Sequence, residues 1–407
     1  MWFYVQRVMI PHQVSAAAAS DSPRGSLSDL YPRWLGSREL LLHHRDPYSP
    51  EITREIQIGY YGRAIDPGRP GDPKDQQAFA YPVYVVFLIA PSIGFPFAVV
   101  QEVFRWFQVF LTAATVPLWL RAFRWRPSLA VSASLMALTL GSFPVVQGLK
   151  LQQLTLAVSG LIAGCAVLLA GGHLVLAGIL LALATIKPQL VLPLVAWLIF
   201  WACSDFQQRR NFLWGFGGAM ALLLAGAQWV LPGWMNSFRA ALLAYREYTG
   251  RPVSVLTTVT APGLGTVFTV LVVAALAVAC WRARRAAADS PSFALITALV
   301  LAVTVVSIPM TALYNQVLLL PGVLLLARNA ASFRARNVFT RSAFILGGLV
   351  FSWSWLAALA LALASVVWPA ATVEQAWSAP LWSSMTAPVV VLFLLAPLAA
   401  PVVRGER

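Results

Sequence analysis

Only three of the 29 basic residues in this 407-residue chain are lysines, and two of them stand at the ends of apolar runs. Lys150 falls in Gly148-Leu149-Lys150-Leu151-Gln152-Gln153, and Lys187 in Ile186-Lys187-Pro188-Gln189. An ammonium group so placed either snorkels back to water or holds an anion, and a lipid phosphate is the anion it suits. Carboxylates supply the complementary chemistry. Asp29, in Ser28-Asp29-Leu30-Tyr31-Pro32-Arg33-Trp34, and Asp46, in Arg45-Asp46-Pro47-Tyr48-Ser49-Pro50, lie in the polar opening of the chain. A carboxylate beside a membrane surface can take the proton of an attacking hydroxyl. The structural alternatives are a helix N-cap for Asp29 and an Asp-Pro turn for Asp46. A third set, Tyr314, Asn315 and Gln316, either binds sugar hydroxyls or caps the next apolar segment.

The remaining polar residues say less. Glu102 and Arg105 share a helix face and are read as satisfying each other, although an ion pair inside a membrane is a functional candidate by default. His43 and His44 are solvated loop residues by this reading. Arg239, Arg246, Glu247 and Arg251 decorate an outer loop without a specific spacing. Cys165, Cys203 and Cys280 sit in or at the ends of apolar segments, where thiols behave as small hydrophobes. Neither a disulfide framework nor a metal site is expected from them.

The elements that must position these groups are membrane helices. Hydrophobic residues make up 59% of the chain and charged ones 11%, against about 25% charged in soluble domains. Mean hydropathy is +0.72. Several apolar runs exceed the roughly 18 residues that read as a membrane span. The net charge of +14 does not point to nucleic acid, because nine of the 15 acidic residues precede residue 80 while arginines cluster in short gaps between apolar runs. Such clustering is the cytoplasmic bias of membrane proteins.

Eleven spans are expected: 96–122, 129–146, 153–170, 173–187, 188–203, 212–231, 257–281, 293–309, 314–328, 342–367 and 379–400. Tyr81–Ala90 is too short to cross and reads as a juxtamembrane or half-inserted helix. The expected domains are an outer polar loop region, 1–80, and an all-α transmembrane domain, 81–407. Within the first, Met1–Ile10 is too short to span and Ser15–Ser20 reads as a small-residue loop. The gaps holding Arg121/Arg124/Arg126, Arg209/Arg210, Arg282/Arg284/Arg285, Arg328/Arg334/Arg336/Arg341 and Arg404/Arg407 are assigned to the cytoplasm, and an even number of spans separates each from the next. By parity the polar region 1–80, the 147–153 turn, the Lys187 turn and the Ile308–Gln316 turn all face outward. Eleven spans leave an external start unanchored, so a further helix ahead of Met1, making twelve, is expected. A secondary transporter or a lipid flippase would also be a multi-pass membrane protein, but the polar residues gather at one surface and not at the midplane where transporter sites lie.

In order along the chain come Ser28-Asp29-Leu30-Tyr31-Pro32-Arg33-Trp34, Asp46-Pro47-Tyr48-Ser49-Pro50-Glu51, Phe79-Ala80-Tyr81-Pro82, the Gln-rich turn at Gln152 and Gln153, Lys187-Pro188-Gln189, and Tyr314-Asn315-Gln316 running into Leu318-Leu319-Leu320-Pro321-Gly322. This series resembles glycosyltransferase family 87, polyprenol-phosphate-mannose-dependent mannosyltransferases of the GT-C fold class, over roughly residues 26–330. The resemblance implies a GT-C helical bundle in the plasma membrane with its site on the outer face, serving the cell envelope. It implies a polyprenyl-phosphate sugar donor, mannose by family habit, and a lipid or glycan acceptor. Asp29 would be the catalytic base, with Asp46 a second candidate. Lys187 would hold the donor phosphate, with Lys150, Gln152, Gln153, Tyr81, Tyr314 and Asn315 as further substrate contacts. Tyr81-Pro82 resembles a Tyr-Pro-Pro element with Val83 in place of the second proline. Tyr314-Asn315 stands where Tyr-Asp is frequent, which removes a charge. Transfer would invert the anomeric centre. No metal and no cofactor are expected, because a lipid monophosphate needs less charge neutralisation than a nucleotide diphosphate.

Overall fold

The computed structural model describes all residues except 26, 67, 250–252, 310–311 and 405–407, and the side chains of 248, 249, 403 and 404 are likewise not described. Expectations for Pro67, Arg251, Met310, Thr311, the Arg404 side chain and Arg407 therefore lie outside the described residues. The fold is all-helical, 77% helix, with no strand among the described residues.

Four helices are long and apolar enough to cross a membrane: Phe97–Ala122, Phe206–Val230, Pro262–Ala283 and Val338–Val367. A fifth candidate is a pair, Leu129–Leu140 and Phe143–Leu151, bent by 55°. The bend falls at Gly141-Ser142, with Pro144 in the first turn of the second helix, where a missing N–H costs nothing. The other expected spans coincide with apolar helices of 10–17 residues: Leu154–Ala170, Leu174–Ala184, Pro188–Cys203, Pro291–Ser307, Leu313–Arg328 and Ala387–Val402. Their shortness has local causes. Pro188 starts its helix directly after the Thr185–Lys187 turn, and Leu313–Leu319 is wound as a tighter 3-10 segment before Leu320–Arg328.

Long and short helices differ in what they face. Pro291–Ser307 is buried along nearly its whole length, and it packs with Pro188–Cys203 and Ala387–Arg404 around the core. The long helices turn apolar side chains outward, with Phe110, Leu222, Trp229 and Val270 all exposed. An apolar girdle of that extent on a soluble protein would be a sticky surface, and on a membrane protein it is the lipid face.

The polar opening folds more than expected. Ser15–Ala19 is not a loop but the end of a helical rod running through Trp2–Tyr4, a wide turn Val5–Met9, and Ile10–Ala19. Four consecutive alanines, Ala16 to Ala19, favour that outcome. Within the expected loop region 1–80, Leu30–His43 and Pro50–Tyr61 are helices, the second capped by Ser49, whose hydroxyl accepts from the Ile52 N–H at 3.3 Å. Val85–Ile89 is the short helix expected before residue 90.

The arginine turns meet at one end. Arg124 pairs with Asp289 at 2.5 Å, Arg328 donates to the Phe123 carbonyl at 2.6 Å, and Arg209 donates to the carbonyls of Trp201, Arg284 and Arg285. Arg209 and Arg210 lie inside the first turns of Phe206–Val230, which begins earlier than expected. The Phe97–Ala122 helix, roughly 39 Å long at 1.5 Å per residue, carries the chain from that end to the Gln101 region described below.

Helices Leu174–Ala184 and Phe206–Val230 approach closely at two glycines. A Cβ on Gly215 would lie 2.2 Å from the Val175 carbonyl oxygen, and one on Gly178 would lie 2.4 Å from that of Phe212. This contact sets the position of the turn that carries Lys187. Gly215→Leu is expected to cost about 2 kcal/mol or more by overpacking and to lower the melting temperature in detergent. Gly217→Ala, which meets nothing within 4 Å, should leave it unchanged.

Candidate active site

Asp29 precedes the Leu30–His43 helix in the N-cap position, yet its side chain makes no cap hydrogen bond. Its carboxylate is turned instead toward residues far along the chain. One oxygen accepts from the Gln153 side-chain amide and the other from the Tyr60 hydroxyl, at 3.3 Å. Its backbone N–H donates to the Leu151 carbonyl at 3.0 Å. Gln152 completes the attachment: its oxygen accepts from the Ser28 hydroxyl and its amide donates to the Gln101 carbonyl. Gln152 adopts a left-handed backbone with φ 51°, closing the Phe143–Leu151 helix. The next residue is thereby aimed at Asp29.

Gln153 joins the carboxylate to the lysine. Its side-chain oxygen accepts from Lys187 Nζ at 2.8 Å while its amide donates to Asp29. Lys187 also donates to Thr155 Oγ1 at 2.8 Å, and Thr155 donates to Asn315 Oδ1 at 3.1 Å. The ammonium lies 5.1 Å from the Tyr314 ring centroid and 5.7 Å from that of Tyr81. Lys187 is only 4% exposed, so it does not snorkel to water.

Arg33 enters from the Leu30–His43 helix, one turn after Asp29. Its guanidinium donates to the Asp29 carbonyl at 2.5 Å and stacks 4.4 Å over the Tyr81 ring. Its Nε is buried and has no partner. Arg33, Lys187, Asp29, Gln153, Tyr81 and Tyr314 surround one cavity of about 110 Å³. Asp75, Gln77, Gln189 and Tyr245 complete its polar wall. Two guanidinium or ammonium cations thus face two carboxylates across a small, partly desolvated space. Burial pushes the Asp29 carboxyl up from its ordinary value, opposed first by the Arg33 charge. Burial and the Asp29 charge also raise Tyr60, which keeps its hydroxyl as a donor.

Of the residues expected from sequence, Asp29, Lys187, Gln153, Tyr81 and Tyr314 come together at this cavity. Asn315 stands behind it through Thr155, and Gln152 fixes the Asp29 segment. Asp46 and Lys150 are not brought there. Asp46 accepts from the Tyr48 N–H at 2.8 Å and closes a local turn, while Lys150 ends the Phe143–Leu151 helix half-buried. Glu102 and Arg105 pair at 2.6 Å on an exposed helix face. His43 contacts Glu39 at 3.1 Å, and His44 is the left-handed cap of its helix. Arg33, Asp75 and Tyr60 were not singled out from sequence. For Arg33 the signal existed, because a residue four after Asp29 falls on the same helix face.

Residues 79–309, more than half of the chain, match the family model described as glycosyltransferase family 87. The chain belongs to glycosyltransferase family 87. No curated protein and no solved structure matches closely enough to count as a relative. Membership makes this a glycosyltransferase, and its long apolar helices mark it as a membrane protein. Tyr81, Gln153, Lys187 and Gln189 lie within the matched residues, whereas Asp29, Arg33 and Tyr314 lie outside them and reach the cavity only through the fold.

The carboxyl of Asp29 sits above its ordinary range, so a reaction that needs it ionised should slow as pH falls through that raised value. The Gln153 amide favours the charged form. In Gln153→Leu the acid limb of the pH–rate profile for sugar transfer should therefore move to higher pH, with a lower plateau. An acid limb that stays in place would separate Gln153 from the ionisation of Asp29.

Proposed function

We propose that this family 87 enzyme transfers a sugar, mannose in the first instance, from a polyprenyl-phosphate donor to a hydroxyl of a lipid or glycan acceptor. The reaction takes place at the outer face of the plasma membrane, within a GT-C-type bundle of about eleven spans. The observation that carries this reading is the single amide, Gln153, that bonds both a carboxylate and a buried ammonium group at one cavity.

In this reading Asp29 is the base. It takes the proton of the acceptor hydroxyl as that oxygen forms its bond to the anomeric carbon, and the bond from that carbon to the phosphate oxygen breaks. The electron pair leaves with the polyprenyl phosphate, and a single displacement inverts the anomeric centre. Charge is conserved within the cavity during the step: the carboxylate becomes neutral while the phosphate gains one negative charge. Lys187 and Arg33 are then free to transfer their attraction from the carboxylate to the leaving group, where charge develops. The buried Nε of Arg33 offers that phosphate an unused donor. Tyr81 and Tyr314 present ring faces and hydroxyls on which a sugar can be seated.

A lipid-linked donor also has room for its tail. Next to Tyr314, residues Gln316, Val317 and Leu320 line a second cavity of about 290 Å³, walled largely by Leu135, Leu138 and Phe351. Within the lining of that cavity Gln316 donates to the Ser384 carbonyl at 2.6 Å. A largely apolar space, lined by residues that follow Tyr314 directly in the chain, suits a polyprenyl chain better than a soluble nucleotide.

Radiolabelled polyprenyl-phosphate mannose, supplied to membranes bearing the full chain, is expected to label an acceptor. Asp29→Asn should lower the rate about 1,000-fold, and Lys187→Gln or Arg33→Gln should weaken use of the donor at limiting concentration. Equal transfer by wild type and Asp29→Asn would remove Asp29 as the base.

A further inference from the structure

At the opposite end of the bundle a second charged cavity lies between Phe97–Ala122 and Leu129–Leu140. It is larger than the first, about 640 Å³, and its walls divide by chemistry. Arg121, Arg124 and Arg126 supply one side, and Leu120, Trp125 and Met136 belong to the rest of its lining. Arg124 occupies the left-handed position of the helix-ending turn, φ 52°. The Trp125 N–H bonds back to the Leu120 carbonyl at 2.9 Å and the Arg124 N–H to that of Arg121 at 3.0 Å. Glycine is the usual residue there, since a Cβ strains that conformation. The arginine is held in it by Asp289, at 2.5 Å.

The other arginines of this end are occupied differently. Arg209 is surrounded by backbone carbonyls, Arg328 by that of Phe123, and Arg284 folds onto its own Trp281. Arg121 and Arg126 have neither an acidic nor a hydrogen-bonding partner among the described residues, and both are exposed. The nearest carboxylate, Asp289, is committed to Arg124. Two unneutralised guanidinium groups therefore flank a cavity whose other lining, Arg124 and Ser132 apart, is apolar, at the end of the Phe97–Ala122 span.

We propose that this cavity binds one anionic phospholipid, its phosphate between Arg121 and Arg126 and its upper acyl chains along Leu120 and Met136. Basic pockets between helices at the cytoplasmic surface take anionic headgroups in this way, with the charge specifying the headgroup and the apolar wall the tail. Arg124 is a positioning residue: pinned by Asp289, it fixes the turn so that its two neighbours point into the space. This lipid is distinct from any substrate, because the cavity lies at the end of the bundle away from Asp29 and Lys187.

The test uses full-length protein in neutral detergent, titrated with phosphatidylglycerol, phosphatidylcholine or inorganic phosphate while the melting temperature is read. Phosphatidylglycerol is expected to stabilise the wild type and the other two are not. Arg121→Gln/Arg126→Gln should need at least fivefold more phosphatidylglycerol for the same shift, and Arg121→Lys/Arg126→Lys should keep most of the response. Arg282→Gln, in another arginine turn, should respond as the wild type does. Equal stabilisation by phosphatidylcholine or by free phosphate would overturn the proposal, as would an unchanged phosphatidylglycerol response in the double glutamine variant. The melting temperature of each variant without lipid shows whether it folds, so a loss of response is not mistaken for a loss of structure.

Discussion

A lysine ammonium buried at the start of an apolar helix has few ways of being tolerated. Removing a charge from water costs several kcal/mol after relaxation, and Lys187 is nearly enclosed. The protein offsets this with two neutral acceptors, Gln153 and Thr155, and two aromatic faces, Tyr81 and Tyr314. Among the described residues no carboxylate touches the ammonium directly. The nearest compensating charge, Asp29, is reached through the Gln153 amide, which keeps acid and base apart while tying their positions together. A direct ion pair would neutralise both groups and leave neither for a substrate. An intervening amide leaves the carboxylate able to accept a proton and the ammonium able to accept an anion.

Much of the architecture can be understood as the means of holding that amide in place. Gln153 follows a left-handed residue at the end of a broken helix, and its own carbonyl accepts from the buried Gln108 amide at 2.8 Å. Lys187 is held by a turn that exists because Pro188 begins a new helix, and that turn is levelled by the glycine contact between Leu174–Ala184 and Phe206–Val230. Asn315 backs Thr155 from a tightly wound segment. Each of these is an interruption in an apolar helix, and irregular backbone within a membrane protein is tolerated only where protein or water satisfies its polar groups. The short helices of the bundle are the consequence: a chain that must place polar turns at one end of its bundle cannot run every helix the full thickness of a bilayer.

The helices and their grouping were legible in the sequence because hydropathy and arginine placement report on the same physics. Each expected span lands on an apolar helix, and the Arg124–Asp289 and Arg328–Phe123 contacts bring separate arginine turns to one end. Lengths were less legible, since an apolar run does not reveal where a buried turn cuts it. Lys187 and Asp29 stood out because each was chemically out of place. Arg33 did not, being one arginine among many, although its spacing from Asp29 already placed it on the right face. Asp75 and Tyr60 had no local signal at all. Tyr60 reaches Asp29 from the Pro50–Tyr61 helix and Asp75 reaches the cavity from the stretch that follows it, and the Ala16–Ala19 run was the plainest hint that this region is not all loop.

The division of the site between two parts of the chain has a functional logic of its own. The stretch that matches the family model contributes Lys187, Gln153 and Tyr81, while Asp29 and Arg33 arrive from the folded opening segment and Tyr314 from beyond the match. In the proposed reaction the donor phosphate is gripped from both parts, by Lys187 of the matched stretch and by Arg33 of the opening segment. In the same proposal the acceptor would approach from the side of Asp29, which the helices Leu30–His43 and Pro50–Tyr61 carry. The Gln153 amide joins the two parts, because it carries position from one half of the site to the other and leaves each half its own charge.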